Sequence, residues 1–127
     1  MSNKLIQLKD KLGNLLYPVI KTTNYISNIT SIDSNLTLNA NANEITKTGN
    51  IVIFNITFNL IASKTYAGTE IFIFPISIKP TANKVIQAIN NNYVNCFAYI
   101  RSSTNAVVLK TNGAIIGEIN ITGSYTL

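Results

Sequence analysis

Every second residue between positions 52 and 60 is large and apolar, and this pattern constrains the fold more than any other stretch of the chain. The apolar positions are Val52, Phe54, Ile56, Phe58 and Leu60. A period of two is that of a β-strand with one side in a hydrophobic core. Gly49 and Asn50 provide a turn before it, and no proline interrupts it. The stretch therefore predicts the central strand of an antiparallel sheet.

Shorter apolar runs separated by turn residues extend this pattern along residues 21 to 127. Strands are predicted near residues 36 to 42, 45 to 48, 70 to 74, 93 to 101, 106 to 109 and 118 to 126. Residues 62 to 69 are predicted to form a polar loop, and residues 84 to 89 to form one helical turn. About seven or eight short strands at regular spacing are typical of an antiparallel β-sandwich of the jelly-roll kind. The predicted fold is therefore all-β.

Residues 1 to 20 are predicted to form a short arm ahead of this domain. Two apolar runs separated by turn residues at 10 to 14 favour a hairpin, and the alternative is one amphipathic helix over residues 2 to 12. Either form leaves apolar side chains that a small domain does not bury alone. Ile51 and Ile53 add an apolar patch on the outer face of the central strand. A closed symmetric assembly would cover both surfaces.

The composition is that of one small β-domain without a polyanionic partner. The 127 residues suit a single core, and only 12% of them are charged. The net charge of +5 is spread singly along the chain, so we expect no nucleic-acid partner. The first residues contain no apolar stretch long enough for a signal peptide or a membrane span. We therefore expect folding in a cytoplasm and no membrane insertion.

The inventory of reactive side chains argues against an enzyme. The sequence has no histidine, and its single cysteine, Cys96, forms neither a thiolate metal site nor an intrachain disulfide. The five Asp and Glu residues have no spacing that pairs them as a glycosidase requires. We therefore predict no catalytic residue, no metal and no cofactor.

Several polar and aromatic residues are suited to saccharide binding. This chemistry uses aromatic faces for sugar C–H surfaces and planar amides or guanidinium groups for hydroxyls. The candidates are Tyr66, Asn91, Asn92, Tyr93, Tyr99, Arg101, Ser103 and Asn105. Tyrosine at strand edges and asparagine in turns are also ordinary features of β-sheets. Arg101, the single arginine, lies beside Tyr99 and a polar turn, so this cluster is the main candidate.

A series of short motifs resembles the C-terminal head domains of bacteriophage tail fibres and receptor-binding proteins. They occur, in order, at residues 47 to 52, 67 to 69, 74 to 75, 78 to 80 and 121 to 125. Residues 10 to 18 are similar to the D-x-x-G-N-x-x-Y-P element that is often found in phage fibre and appendage proteins. Together these motifs are spread over most of the length of the chain, from residue 10 to residue 125.

The resemblance implies a β-sandwich head domain that assembles as a homotrimer. It also implies a virion protein, made in the bacterial host cytoplasm, that binds host-surface polysaccharide on an outer face or between protomers. The arm would then contact other virion proteins. A structural head fibre or capsid decoration protein fits the size of the chain as well. A bacterial adhesion or carbohydrate-binding module is a third alternative, which the lack of an export signal disfavours.

Overall fold

A computed structural model describes residues 8–9, 15–16, 22–25, 29–38 and 43–127. The backbone of these residues is almost entirely extended, apart from a single 3-10 turn at Ile76–Ile78. All strand pairings are antiparallel. The predicted all-β, antiparallel class is therefore confirmed.

Twelve strands are present in the described ranges. They are β1 (Leu8–Lys9), β2 (Leu15–Leu16), β3 (Thr22–Asn24), β4 (Thr30–Ser31), β5 (Leu36–Leu38), β6 (Glu44–Thr48), β7 (Ile51–Lys64), β8 (Ala67–Ile73), β9 (Lys84–Asn90), β10 (Cys96–Arg101), β11 (Ala106–Thr111) and β12 (Ile115–Thr126). With 14 and 12 residues, β7 and β12 are much longer than the short strands that the sequence predicted.

Ten of these strands belong to one hydrogen-bonded sheet. Its order is β3-β6-β7-β12-β9-β10-β11-β8-β4, and β5 pairs with β7 beyond the end of β6. The strand β9 joins two halves of this path, because residues 84 to 86 pair with β10 while residues 87 to 90 pair with β12. The long strand β7 is central to its half, as predicted, with β12 along one edge and β5 and β6 along the other.

The segment from β4 to β5 connects the β8 end of the path with β7, so the sheet is nearly closed and barrel-like. The strands β4 and β5 are consecutive, yet β4 pairs with β8 and β5 pairs with β7. In the segment between them, the N–H of Ile32 donates to the carbonyl of Ile71 at 2.9 Å. At its other end the N–H of Ile61 donates to the carbonyl of Asn35 at 2.9 Å. Residues 32 to 35 thus close the gap between β7 and β8.

The interior is a single apolar core, as the period-two pattern predicts. The inward side chains of β7 are at most 1% exposed, namely Val52, Phe54, Ile56, Phe58 and Leu60. Their partners come from β8 and the residue after it: Phe54 meets Phe74 edge-on at 5.4 Å between ring centroids, and Phe58 meets Phe72 at 5.8 Å. The two halves of the sheet are therefore joined through aromatic contacts.

Two local predictions were wrong. Residues 84 to 89 form β9 and not a helical turn, because Ile86 is buried between exposed neighbours and the strand has a partner on each edge. The polar loop predicted at residues 62 to 69 is reduced to two residues, since β7 continues to Lys64 and β8 begins at Ala67. Cross-strand pairing overrides the local preference of these residues.

In the predicted arm, Leu8 pairs with Leu16 and Lys9 with Leu15 in antiparallel register. This is the pairing that the hairpin alternative requires. The turn of the arm and the rest of residues 1 to 20 lie outside the described residues, as do the last positions of the strand predicted at 36 to 42. Within the part of the chain that is described, no helix has the length and apolar character needed to cross a membrane.

Candidate functional site

The outward face of β10 carries an aromatic and cationic stripe. Ala98 and Ile100 are fully buried, so the alternate residues Phe97, Tyr99 and Arg101 face away from the core. Phe97 is 47% exposed. Since a strand rises about 3.4 Å per residue, the stripe runs for about 14 Å.

Arg101 is held by two hydrogen-bonding neighbours on this face, Glu70 and Tyr99. Its Nη1 donates to Oε2 of Glu70 at 2.6 Å, and its Nη2 donates to the hydroxyl of Tyr99 at 3.1 Å. Thr104 donates its hydroxyl to the same Glu70 oxygen at 2.6 Å. The rings of Tyr99 and Phe97 lie 5.8 Å apart at an angle of 46°. We call these five residues the Arg101 platform.

Strand register explains why the platform forms. Val108 on β11 pairs with Tyr99 on one side and with Glu70 on the other, and directly paired side chains lie on the same face. Val108 is fully buried although it lies outside the core cluster. Arg101 on β10 reaches over β11 to Glu70 on β8, so the ion pair bridges three adjacent strands. The platform is thus a fixed part of the sheet surface.

The charges of the platform are balanced. The hydrogen bond to Tyr99 raises the pKa of Arg101 above its ordinary value, and the carboxylate of Glu70 adds to this rise against a smaller opposing effect of burial. The ion pair between Arg101 and Glu70 is partly exposed, so it contributes little to folding stability. Its consequence is geometric, because it fixes a planar donor and a carboxylate beside two aromatic rings.

A shallow depression of about 560 Å³ adjoins the platform at Phe97. It lies across the ends of β10 and β11, where Phe97 pairs with Lys110. Its lining residues are Asn95, Cys96, Phe97, Lys110, Thr111 and Asn112. The depression therefore combines amide groups, one aromatic ring and one ammonium group.

The turn between β9 and β10 displays Tyr93 at its tip. Tyr93 is 97% exposed and has a φ of 57°. Asn90 organises the turn: its Nδ2 donates to the carbonyl of Val94 at 2.7 Å, and its Oδ1 accepts from the N–H of Asn92 at 2.9 Å. The side chain of Asn92 is itself used, because its Oδ1 accepts from the N–H of Ile116 at 3.0 Å.

Tyr66, a predicted ligand residue, lies in the core. Its side chain is fully buried, and its hydroxyl donates to Asp33 at 2.6 Å. Its N–H donates to the hydroxyl of Thr111 at 2.9 Å. Tyr66 lies in the two-residue loop between β7 and β8, but its side chain is in the core and has no free face for a surface ligand.

Asn105 also serves the fold. It is 2% exposed with a φ of 60°, a conformation that asparagine tolerates better than most residues. Its Nδ2 donates to the carbonyls of Phe74 and Pro75, each at 2.7 Å. Ser103 is exposed in the turn before it. Asn105 is therefore a buried turn residue and not a surface contact.

The structure thus brings only part of the predicted set together. Tyr99 and Arg101 form one cluster, whereas Asn92 and Tyr93 lie at the other end of β10. Sequence reasoning missed Phe97, Glu70 and Thr104. The alternation along β10 could have indicated Phe97, but the contact with Glu70 depends on a register shift between Val107 and Val108 that leaves no sequence signal.

The described residues contain no cluster of three or more His, Cys, Asp or Glu side chains that could hold a metal ion. No protein-family model and no curated protein matches the sequence.

Proposed function

We propose that this chain is a non-enzymatic receptor-binding module of a phage virion appendage and that it binds host-surface saccharide at the Arg101 platform. The observation that carries this proposal is the alignment of Phe97, Tyr99 and Arg101 on one outward sheet face, with Glu70 beside the guanidinium. Aromatic rings suit the C–H faces of sugars, and the charged planar groups suit their hydroxyls.

The side chains of the platform are held in place before a ligand binds, which favours binding of a weakly bound ligand. Binding is favoured when few side chains have to be ordered at the moment of contact. Here the hydrogen bonds of Arg101 to Glu70 and Tyr99 hold the guanidinium in place before any ligand arrives. A saccharide would therefore meet a largely preformed surface.

We infer that the finer architecture is a jelly-roll-like sandwich. The half with β3, β5, β6, β7 and β12 faces the half with β4, β8, β10 and β11, and β9 belongs to both. The edge-on pair of Phe54 and Phe74 supports this packing. Such a sandwich is the architecture that the resemblance to phage head domains implies.

The module is proposed to act as a homotrimer attached to other virion proteins through the N-terminal arm. Ile51 and Ile53 are 50% and 49% exposed on the outer face of β7. Their exposure supports an apolar contact surface between subunits, because large exposed apolar groups mark interaction sites when they cluster. Three-fold closure would cover this surface in every copy.

The test is adhesion of purified full-length protein to bacterial cells, with competition by purified wall polysaccharide. We expect Arg101→Ala and Tyr99→Ala to weaken cell binding by about 30-fold, the loss typical of a binding hot spot. Lys79→Ala removes an exposed cation elsewhere and is the matched control. Equal adhesion of all four proteins would contradict the assignment of the platform.

The alternative is a structural head fibre or capsid decoration protein. The observation in its favour is the outer face of β7 and β12, where Asn120 donates its Nδ2 to Asn55 at 2.7 Å and to Thr57 at 3.0 Å. A polar sheet surface of this kind, next to Ile51 and Ile53, is suited to contact with another protein. Binding to purified capsids without any binding to cells would favour this alternative.

A further inference from the structure

Two surface depressions lie in series between Phe97 of the Arg101 platform and the turn that carries Tyr93. The depression beside Phe97 adjoins a second one of about 350 Å³, and the two share Asn95 and Cys96 in their walls. The second depression includes Asn90 and Tyr93. We call these two adjoining depressions the groove, and it extends from Phe97 of the platform to Tyr93.

Tyr93 has the features of a contact residue and none of a structural one. Its side chain is 97% exposed, so it contributes almost nothing to the core. Its φ of 57° is a left-handed conformation, which is unfavourable for a residue with a Cβ. Asn90 nevertheless fixes the turn through its amide. Unfavourable backbone geometry that the surroundings maintain is a reason to suspect a functional role.

The groove between the two ends has little charge. Its walls supply the amide groups of Asn95 and Asn112 and one ammonium group, that of Lys110. A polyanion would require several cations in a row. Amide groups between aromatic rings are suited to a polysaccharide that carries hydroxyl groups and few charges.

We propose that the platform and Tyr93 form one extended site for several consecutive units of a largely uncharged polysaccharide. Tyr93 stacks on a sugar unit at the end of the groove away from the platform, and it therefore determines which polysaccharides are bound. This inference rests on the proposed function, since it assumes that the platform binds saccharide. The stripe on β10 alone runs for about 14 Å, and the groove continues beyond it, so one monosaccharide cannot span the site.

The test uses calorimetric titration of the full chain with the wall polysaccharide that competes in the cell assay, and with its size-fractionated fragments from partial acid hydrolysis. We expect Tyr93→Ala to weaken binding of the long chain at least tenfold and to leave binding of the shortest bound fragments unchanged. Tyr93→Phe keeps the ring and should bind like the unmodified protein. Thermal unfolding of each variant verifies that the fold is intact.

Other outcomes separate the two proposals. If Tyr93→Ala binds the long chain normally while Tyr99→Ala does not, the extended site is refuted and the platform stands. If the unmodified protein binds no polysaccharide, the proposed function itself fails. A strong preference for a phosphate-rich wall polymer, lost in high salt, would refute the uncharged ligand.

Discussion

The hydroxyl group of Tyr66 donates a 2.6 Å hydrogen bond to Oδ2 of Asp33, and this bond connects the segments that close the sheet. Asp33 lies between β4 and β5, and Tyr66 lies between β7 and β8. Oδ1 of Asp33 accepts from the N–H of Asn35 at 3.0 Å and lies 3.9 Å from Nζ of Lys64. The Asp33 side chain is only 7% exposed, so these partners compensate for its lost hydration.

Acid should weaken this closure. Burial raises the pKa of Asp33, but the hydrogen bonds from Tyr66 and Asn35 and the charge of Lys64 together lower it below its ordinary 3.8. A carboxyl group with a lowered folded-state pKa contributes stability above its unfolded-state pKa, and this is lost as the pH falls through the folded-state value. We therefore expect the free energy of unfolding, measured with urea, to decrease below about pH 4.

Tyr66→Phe tests the same contact directly. Loss of a hydrogen bond to a charged acceptor should lower the free energy of unfolding by about 1.5–3 kcal/mol at neutral pH, and the difference should shrink once Asp33 is protonated. Tyr125→Phe is the matched control, because the Tyr125 hydroxyl donates to the uncharged carbonyl of Ile78. A Tyr66→Phe deficit that stays constant down to about pH 3 would exclude the charged contact as its cause.

High pH should weaken the contact between Asp33 and Tyr66 through ionisation of Tyr66. Burial and the hydrogen bond to Asp33 raise the pKa of Tyr66 from 10.0 to about 12. A group with a raised folded-state pKa contributes stability below its unfolded-state pKa, and this is lost as the pH rises through the folded-state value. Urea unfolding between about pH 9 and pH 12 should show this decrease, and Tyr66→Phe should show less of it.

Gly123 is required by the ring of Phe54, which is its partner across β7 and β12. A Cβ at position 123 would lie 2.7 Å from Cζ of Phe54 and 3.2 Å from Cγ2 of Ile86. Because both side chains are in the core, Gly123→Ala should lower the free energy of unfolding by about 1–3 kcal/mol. In Gly113→Ala the new Cβ meets only Val94, at 3.7 Å, so stability should be unchanged or slightly increased. Equal stability of the two variants would contradict the close contact.

Tyr93 and Asn105 share a left-handed backbone but should respond differently to glycine. Tyr93→Gly removes strain at an exposed position, so the urea midpoint should be at least as high as that of the unmodified protein. Asn105→Gly removes the two hydrogen bonds that its amide donates to the carbonyls of Phe74 and Pro75, and should lower the free energy of unfolding by about 1–3 kcal/mol. A clear loss of stability in Tyr93→Gly would show that the Tyr93 side chain supports the fold.

Assembly can be tested separately from ligand binding. Deleting residues 1 to 20 should weaken the proposed trimer and leave residues 21 to 127 folded. Ile53→Lys, which places a charge on the exposed apolar patch of β7, should have the same effect. Light scattering after gel filtration measures the native mass. An unchanged trimer in the truncated chain would refute the role of the arm.

The all-β class and the buried face of β7 were predictable from the sequence. Burial of one face of this strand requires apolar residues at every second position, and this period is visible in the sequence itself. The sequence did not indicate β9, whose identity as a strand depends on pairing with β10 on one edge and with the more distant β12 on the other. Tyr66 was wrongly predicted to be a ligand residue in a polar loop, because no local sequence feature indicates that β7 continues to Lys64. The pairing of Arg101 with Glu70 was not predictable either. It depends on a register shift between β8 and β11, which are neighbours in the sheet but distant in the sequence.

The position of β12 has a consequence for biosynthesis. This strand comprises residues Ile115–Thr126, yet it lies inside the sheet between β7 and β9. In a growing chain that has reached only β11, the edge of β7 that later pairs with β12 is therefore unpaired. The alternating apolar residues of β7 are then exposed along this edge. Unpaired apolar edges promote aggregation, and such distant pairing forms slowly. The protein should consequently fold only after its β12 segment has left the ribosome, and should depend on protection until then.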